Sequence, residues 1–226
     1  MPRSERLRAL ELLRGKARRK GLEARLLGYR PYPKQLEFHA AGKEHRERLL
    51  MAANQVGKSV SGAAETAMHL TGLYPDWWPG RRFDRPTQGW AAGVTNETTR
   101  DNPQRLLIGP PRDRAAWGTG FIPGTRFVGE PSRALGIADA VDGLSVRHVS
   151  GGTSLLSFKS YEKGREKWQG PTLDFIWFDE EPPQDIYTEG LTRTNATNGP
   201  VWLTFTPLEG MSEVVRMFLA DEKGLR

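Results

Sequence analysis

Two short stretches of this chain carry residue types that do chemistry together. The first is Ala52-Ala53-Asn54-Gln55-Val56-Gly57-Lys58-Ser59, which has the spacing of a phosphate-binding loop, G-x-x-x-x-G-K-[ST], with alanine in place of the first glycine. Such a loop works when a strand delivers the chain to a tight turn, Gly57 lets backbone N–H groups approach phosphate oxygens, and a helix points its positive end at them. Asn54, Gln55 and Val56 would then line the cradle, Lys58 would reach the β- and γ-phosphates, and the Ser59 hydroxyl would ligate Mg²⁺. The second stretch is Phe175-Ile176-Trp177-Phe178-Asp179-Glu180, four apolar residues running into two acids. Ligands of open α/β sheets sit at the carboxyl ends of the strands, where Asp179 and Glu180 would emerge. Adjacent residues at a strand end face different ways. Asp179 is therefore expected to hold Mg²⁺ and Glu180 to orient and polarise an attacking water, which is the chemistry of a hydrolase rather than a kinase.

These groups meet only if the surrounding elements bring them together. Leu49 to Ala53 reads as a strand entering the loop, and Val60, Ala63, Ala64, Ala67 and Met68 recur at helical intervals after Lys58. GWAAGVT (Gly89 to Thr95), LDFIWF (Leu173 to Phe178) and VWLTFT (Val201 to Thr206, after the Asn198-Gly199 turn) read as strands. The near-continuous apolar character of the last two suits strands covered on both faces. SVRHVSGGTSLLSFKSY gives two β-rich runs separated by Ser150, Gly151 and Gly152, a hairpin signal. A short helix is expected from about Lys34 to Ala41, after Pro31 and Pro33 force an extended turn, and another over SEVVRMFL. Tyr74 to Pro86 reads as a long ordered loop, and residues 96–143 show little periodicity. The predicted fold class is α/β, with a central, mostly parallel sheet flanked by helices. Residues 1–28 are expected to form a separate basic helical segment of two short amphipathic helices, and 29–226 the domain proper.

The composition excludes several function classes. Hydrophobic residues make up 37% and charged residues 27% of 226, ordinary for a globular protein and unlike collagen, coiled coils or disordered chains. Cysteine is absent and only 4 histidines occur, which removes disulfides, thiolate metal sites and cysteine nucleophiles, fits a reducing compartment and argues against zinc. No stretch approaches the roughly 18 apolar residues of a membrane span, so no membrane association is expected. The net charge is +6, and residues 1–50 hold 14 Lys and Arg against 6 Asp and Glu, an excess suited to a polyanionic partner or to a solvated basic helix.

The ordered set AANQVGKS, FIWFDEEPP and TFTP, preceded by YRPYPKQLEFH and accompanied by SYEKGREKWQG and LTRTNAT, resembles the ATPase domain of the large terminase subunit, the DNA-packaging motor of tailed bacteriophages, from roughly Tyr29 to Phe218. The resemblance implies a P-loop NTPase fold and a Mg-dependent ATPase that drives double-stranded DNA through a portal ring into a capsid. Its implied setting is the cytoplasm of the infected host, with the portal protein and small terminase subunit as partners. It further implies a homo-oligomeric ring when assembled and a monomer in isolation. By the same resemblance Gln35, after Tyr32 and Pro33, matches the glutamine that reads adenine, and Thr204 and Thr206 match a coupling motif near the γ-phosphate.

The chain also departs from the family pattern. The positions where several terminases carry an arginine hold Asn54, Gln55 and Gln169 here, so an arginine finger must come from elsewhere. Arg165 is the first candidate, with Arg100, Arg105 and Arg147 open. No set of spaced acids follows TFTP to build a nuclease site, and the chain is expected to be the motor part alone, unable to cut DNA. Two other readings stay open at this point: a helicase-like or DNA-repair ATPase, and a non-catalytic nucleotide-binding assembly module, the latter raised by Ala52.

Overall fold

The computed structural model describes residues 5–6, 25–207 and 210–220. Its strands are β1 (Glu47–Met51), β2 (Gln88–Gly93), β3 (Ser132–Arg133), β4 (Val141–Arg147), β5 (Thr153–Ser160), β6 (Phe175–Asp179) and β7 (Val201–Phe205). They form one sheet in the order β1-β7-β6-β2-β5-β4-β3. Neighbours from β1 through β5 are parallel, and β4 and β3 add an antiparallel edge. The helices are α1 (Pro33–Ala41), α2 (Lys58–Thr71), α3 (Asn96–Thr99), α4 (Arg105–Leu107), α5 (Gln184–Thr194) and α6 (Glu213–Leu219).

The central strands are buried along their whole length, and the period-2 alternation of side chains divides the core in two. Phe175 and Trp177 of β6 and Trp202 of β7 join the core under α2, with Ala63, Ala64, Ala67 and Met68. Ile176, Phe178, Val201, Leu203 and Phe205 join the opposite core under α5 and α6, with Trp90, Trp168 and Tyr187. There Trp168 stacks on Phe178 at 5.3 Å between ring centroids. Helix α2 lies close to the sheet because its inner face is made of small residues. A Cβ added at Gly62 would come within 2.3 Å of Trp177 Nε1, so the helix that starts at Lys58 is seated directly on the strand that ends at Asp179.

The predicted strands and the Lys34–Ala41 and SEVVRMFL helices appear with boundaries shifted by a few residues. The hairpin is antiparallel as expected, but β4 begins at Val141, earlier than the β-rich run suggests. Neither helix nor strand occupies the expected loop from Tyr74 to Pro86. Two helical stretches carry no clear sequence signal. One is α5, which follows directly on Pro182 and Pro183. The other runs from Asn96 to Leu107 and contains a π-helical turn, Arg100–Gln104, with Pro103 inside it; a proline there hides helical character. The predicted pair of basic helices between residues 3 and 27 lies outside the described residues, apart from 5–6 and 25–27, which are helical. Among the described residues no helix is long and apolar enough to cross a membrane.

Candidate active site

The strand order places β7 between β1 and β6, so the carboxyl ends of the loop strand, the threonine strand and the acidic strand lie side by side. The loop between β1 and α2 turns through left-handed backbone at Gln55 (φ 62°) and Gly57 (φ 84°). Ala52 keeps a negative φ, so alanine at the position of the first motif glycine brings no backbone strain. Lys58 is buried, and its ammonium donates to the Ala53 carbonyl at 2.7 Å and to Thr206 Oγ1 at 2.9 Å. The Thr206 hydroxyl is also within reach of the Ala52 carbonyl (3.1 Å) and of Asn54 Oδ1 (2.7 Å). Thr206 thereby ties the end of β7 to both ends of the loop.

Asp179 lies opposite Thr204 in the β6–β7 register and is almost fully buried. Thr204 Oγ1 donates to Asp179 Oδ1 at 2.9 Å and accepts from Trp177 Nε1 at 2.7 Å. The Ser59 hydroxyl also hydrogen-bonds the Asp179 carboxyl, and Asn102 Nδ2 donates to Oδ2 at 3.0 Å. Burial pushes the Asp179 carboxyl up to about 7 and the Glu180 charge adds to this, whereas the Ser59 and Thr204 bonds and the Lys58 charge act downward. Its direct hydrogen-bond donors are all neutral, so no bonded cation offsets the cost of burying its charge.

Glu180 departs from strand geometry with φ 69°, a left-handed conformation that costs a non-glycine residue about 1–3 kcal/mol and concentrates at functional sites. Its backbone N–H donates to the Thr204 carbonyl at 3.1 Å, and the buried Tyr161 hydroxyl holds the carbonyls of Asp179 (3.1 Å) and Glu180 (2.9 Å). The half-buried Glu180 carboxyl is raised by burial, held back by the Lys58 charge and a bond from the Thr206 backbone. It borders a cavity of about 690 Å³ shared with Thr95, Tyr161 and Thr206.

Lys58, Ser59, Asp179, Glu180, Thr204 and Thr206 therefore share one rim. Gln35 reaches the loop from the other side: Nε2 donates to the carbonyls of Val56 (3.3 Å) and Gly57 (3.1 Å), and Oε1 accepts from the Tyr32 N–H (2.8 Å). It is 5% exposed, braced against the loop rather than free on a helix surface. Arg165 stands apart, its Nε 3.1 Å from Glu189 Oε2 on α5. Asn102 belongs to the site from outside every motif, and Tyr161 and Trp177 belong to it from within SYEKGREKWQG and FIWFDEEPP, where no role was assigned to either. Asn102 sits in the aperiodic stretch, and the other two read as ordinary core aromatics.

Among the described residues no group of three or more His, Cys, Asp or Glu could hold a metal alone. Ser59 with Asp179 suits Mg²⁺, which takes one or two protein oxygens and completes its shell with phosphate and water.

Residues 49–224 match the family model described as terminase large subunit, T4likevirus-type, N-terminal. This chain belongs to the large terminase subunits. The large terminase subunit of Salmonella phage P22 is 44% identical over 213 residues, covering 87% of this chain and 42% of that protein. That of Enterobacteria phage LP7 is 29% identical over 210 residues, covering 87% and 44%. This terminase chain thus spans about two fifths of the length of these relatives. In fold it is similar to the large terminase of a thermophilic bacteriophage in complex with ADP (TM-score 0.51, 16% identity, 78% of this chain and 38% of that one). It is also similar to the HK97 large terminase (TM-score 0.54, 16% identity, 83% and 37%).

Proposed function

We propose that this terminase chain is an ATP-hydrolysing motor domain that drives double-stranded DNA into a viral capsid. One observation carries the reading: Lys58 and Ser59 of the loop and the Asp179–Glu180 pair share a single rim, with Thr204 and Thr206 bonded between them. Backbone N–H groups of Asn54 to Ser59 would hold the phosphates at the start of α2. Lys58, released from Ala53 and Thr206, would follow the β- and γ-phosphates. Ser59 and Asp179 would hold Mg²⁺, which supplies charge neutralisation across the phosphate oxygens. Glu180, turned off the strand line by its left-handed backbone, would align and polarise the attacking water. Thr206, bonded to Lys58 and to the loop, would register loss of the γ-phosphate and pass it to β7. Gln35 would connect the base of the nucleotide to the loop through Val56 and Gly57.

The finger role of Arg165 falls to a ring in which one copy faces its neighbour, since within its own chain Arg165 pairs with Glu189. DNA would be gripped mainly through its phosphates and hence in a salt-sensitive way. Arg100 and Arg105, on the turn that follows β2, lie at the rim end of the sheet, whereas Arg81 bonds the Asn198 carbonyl ahead of β7, at the opposite end. Portal protein and small terminase subunit would be the partners, in the host cytoplasm. The test is Mg-dependent ATP turnover by the purified chain and by Glu180→Gln. Turnover in the parent and a loss of at least about 100-fold in the variant is expected; equal rates would remove Glu180 from the mechanism.

A further inference from the structure

Of the motif residues, Thr204 donates to Oδ1 of the Asp179 carboxyl and Ser59 also bonds the group. The second oxygen, Oδ2, is held by Asn102, a residue 77 positions earlier in the chain, at 3.0 Å. Asn102 is presented by the π-helical turn Arg100–Gln104. Proline lacks an N–H, and its ring would strike a carbonyl of the preceding turn in a regular helix. A widened turn accommodates Pro103, and such turns recur at functional sites.

This turn is pinned on both sides. Thr99 Oγ1 donates to the Lys159 carbonyl at 3.1 Å, at the end of β5. The Gln104 side chain donates to the Asp139 carbonyl and accepts from the Val141 N–H, both at 2.8 Å, at the start of β4. The amide that meets Asp179 is therefore held in a fixed frame from the far half of the sheet.

The kind of donor matters as much as its place. A lysine or arginine at this point would neutralise the carboxylate and compete with a cation for the same charge. An amide N–H fixes the oxygen and leaves the negative charge in place, as the hydroxyls of Thr204 and Ser59 do. We propose that Asn102 is a positioning residue for the cation-holding carboxylate, orienting Asp179 so that the oxygen surface left by Thr204 and Ser59 faces the metal of a bound Mg-nucleotide. The inference rests on the ATPase reading above and assigns to it a residue outside both motifs. Groups that orient a metal ligand in this way commonly change metal affinity or activity by about 10- to 100-fold when removed.

The experiment uses Mn²⁺ as the probe and follows its electron paramagnetic resonance signal in the presence of ADP. Parent chain, Asn102→Leu and Asn102→Ala are compared. Leucine keeps the γ-branching and the number of side-chain heavy atoms while removing both polar atoms, and alanine removes the side chain beyond Cβ. The expected result is about a tenfold weaker Mn²⁺ affinity in both variants, with cation-free ADP affinity and the melting temperature of the nucleotide-free protein at parent values. Unchanged Mn²⁺ affinity in both variants overturns the proposal. Losses confined to melting temperature or to cation-free ADP affinity also overturn it, making Asn102 a structural residue. A parent chain that takes up no Mn²⁺ with ADP sinks the ATPase reading itself, and this inference with it.

Discussion

Helix α2 serves two buried carboxylates, and they are built in opposite ways. At its start, Asp179 meets hydroxyls and an amide, and burial lifts it to about 7. Two turns further on, Glu65 is fully buried between α1, β1 and α2, with Arg48 Nη2 at 2.6 Å and Nη1 at 3.2 Å, His39 Nδ1 at 2.8 Å and His69 Nε2 at 3.3 Å. Burial pushes the Glu65 carboxyl up as well, yet the Arg48 charge and the two histidine contacts outweigh it and hold the group well below the usual carboxylate range. The first arrangement leaves the acid without a bonded cationic partner, as the cation-holding role proposed for it would require; the second completes its ion pair internally and fastens the loop helix to α1 and β1.

The contrast can be broken in several ways. The largest effect is expected at the rim, where Glu180→Gln lowers ATP turnover by about 10²- to 10⁴-fold while nucleotide affinity stays at the parent value. Glu65→Gln should leave the Arg48 charge buried without its partner and cost about 3–5 kcal/mol in urea unfolding. A cost below about 1 kcal/mol would show that the cluster is no working ion pair.

The pH dependence of stability should run in opposite directions at the two carboxylates. The Asp179 pKa is raised in the fold, so the native state keeps a proton that the unfolded chain loses. This contribution weakens stability as pH rises from about 4 to about 7. Asparagine imitates the protonated acid, so Asp179→Asn should exceed the parent in stability at pH 8, with the difference closing towards pH 4. The depressed Glu65 works the other way, with its stabilisation present above its unfolded value and lost only as pH falls well below it. An Asp179→Asn advantage that is flat across pH would contradict the burial argument. The smallest effect belongs to Arg165→Ala. An ion pair whose arginine side chain is 60% exposed is worth at most about 1 kcal/mol, and turnover of the dilute chain should stay at the parent rate.

Much of the rim was legible in the sequence because its chemistry is local in the chain. A glycine, lysine and serine in succession after a strand, and two acids ending another, mark where the rim lies through spacing alone, whereas Thr204 and Thr206 are picked out only by the family resemblance. The sheet was legible for a related reason: β6 and β7 are apolar enough to require cover on both faces. What the sequence hides are contacts made across the fold. Asn102 looks like any polar residue beside a proline, and Tyr161 like any core aromatic, until the register of β6 brings Asp179 to both. Glu65 reads as one more charge on a helix, because Arg48 and His39 reach it from elements that no periodicity pairs with it. Gln35 is singled out only by the family resemblance, and its bonds to Val56 and Gly57 follow only from how α1 packs on the loop.

The close seating of Gly62 on the Trp177 indole has a mechanical corollary. With no side chain to act as a spacer, the helix behind the lysine and the strand ahead of the acids behave as one solid piece. A stroke of the kind proposed above would not be taken up by sliding one past the other. It would appear in the parts joined to that piece more loosely, much as a rigid anvil passes on a blow it does not absorb.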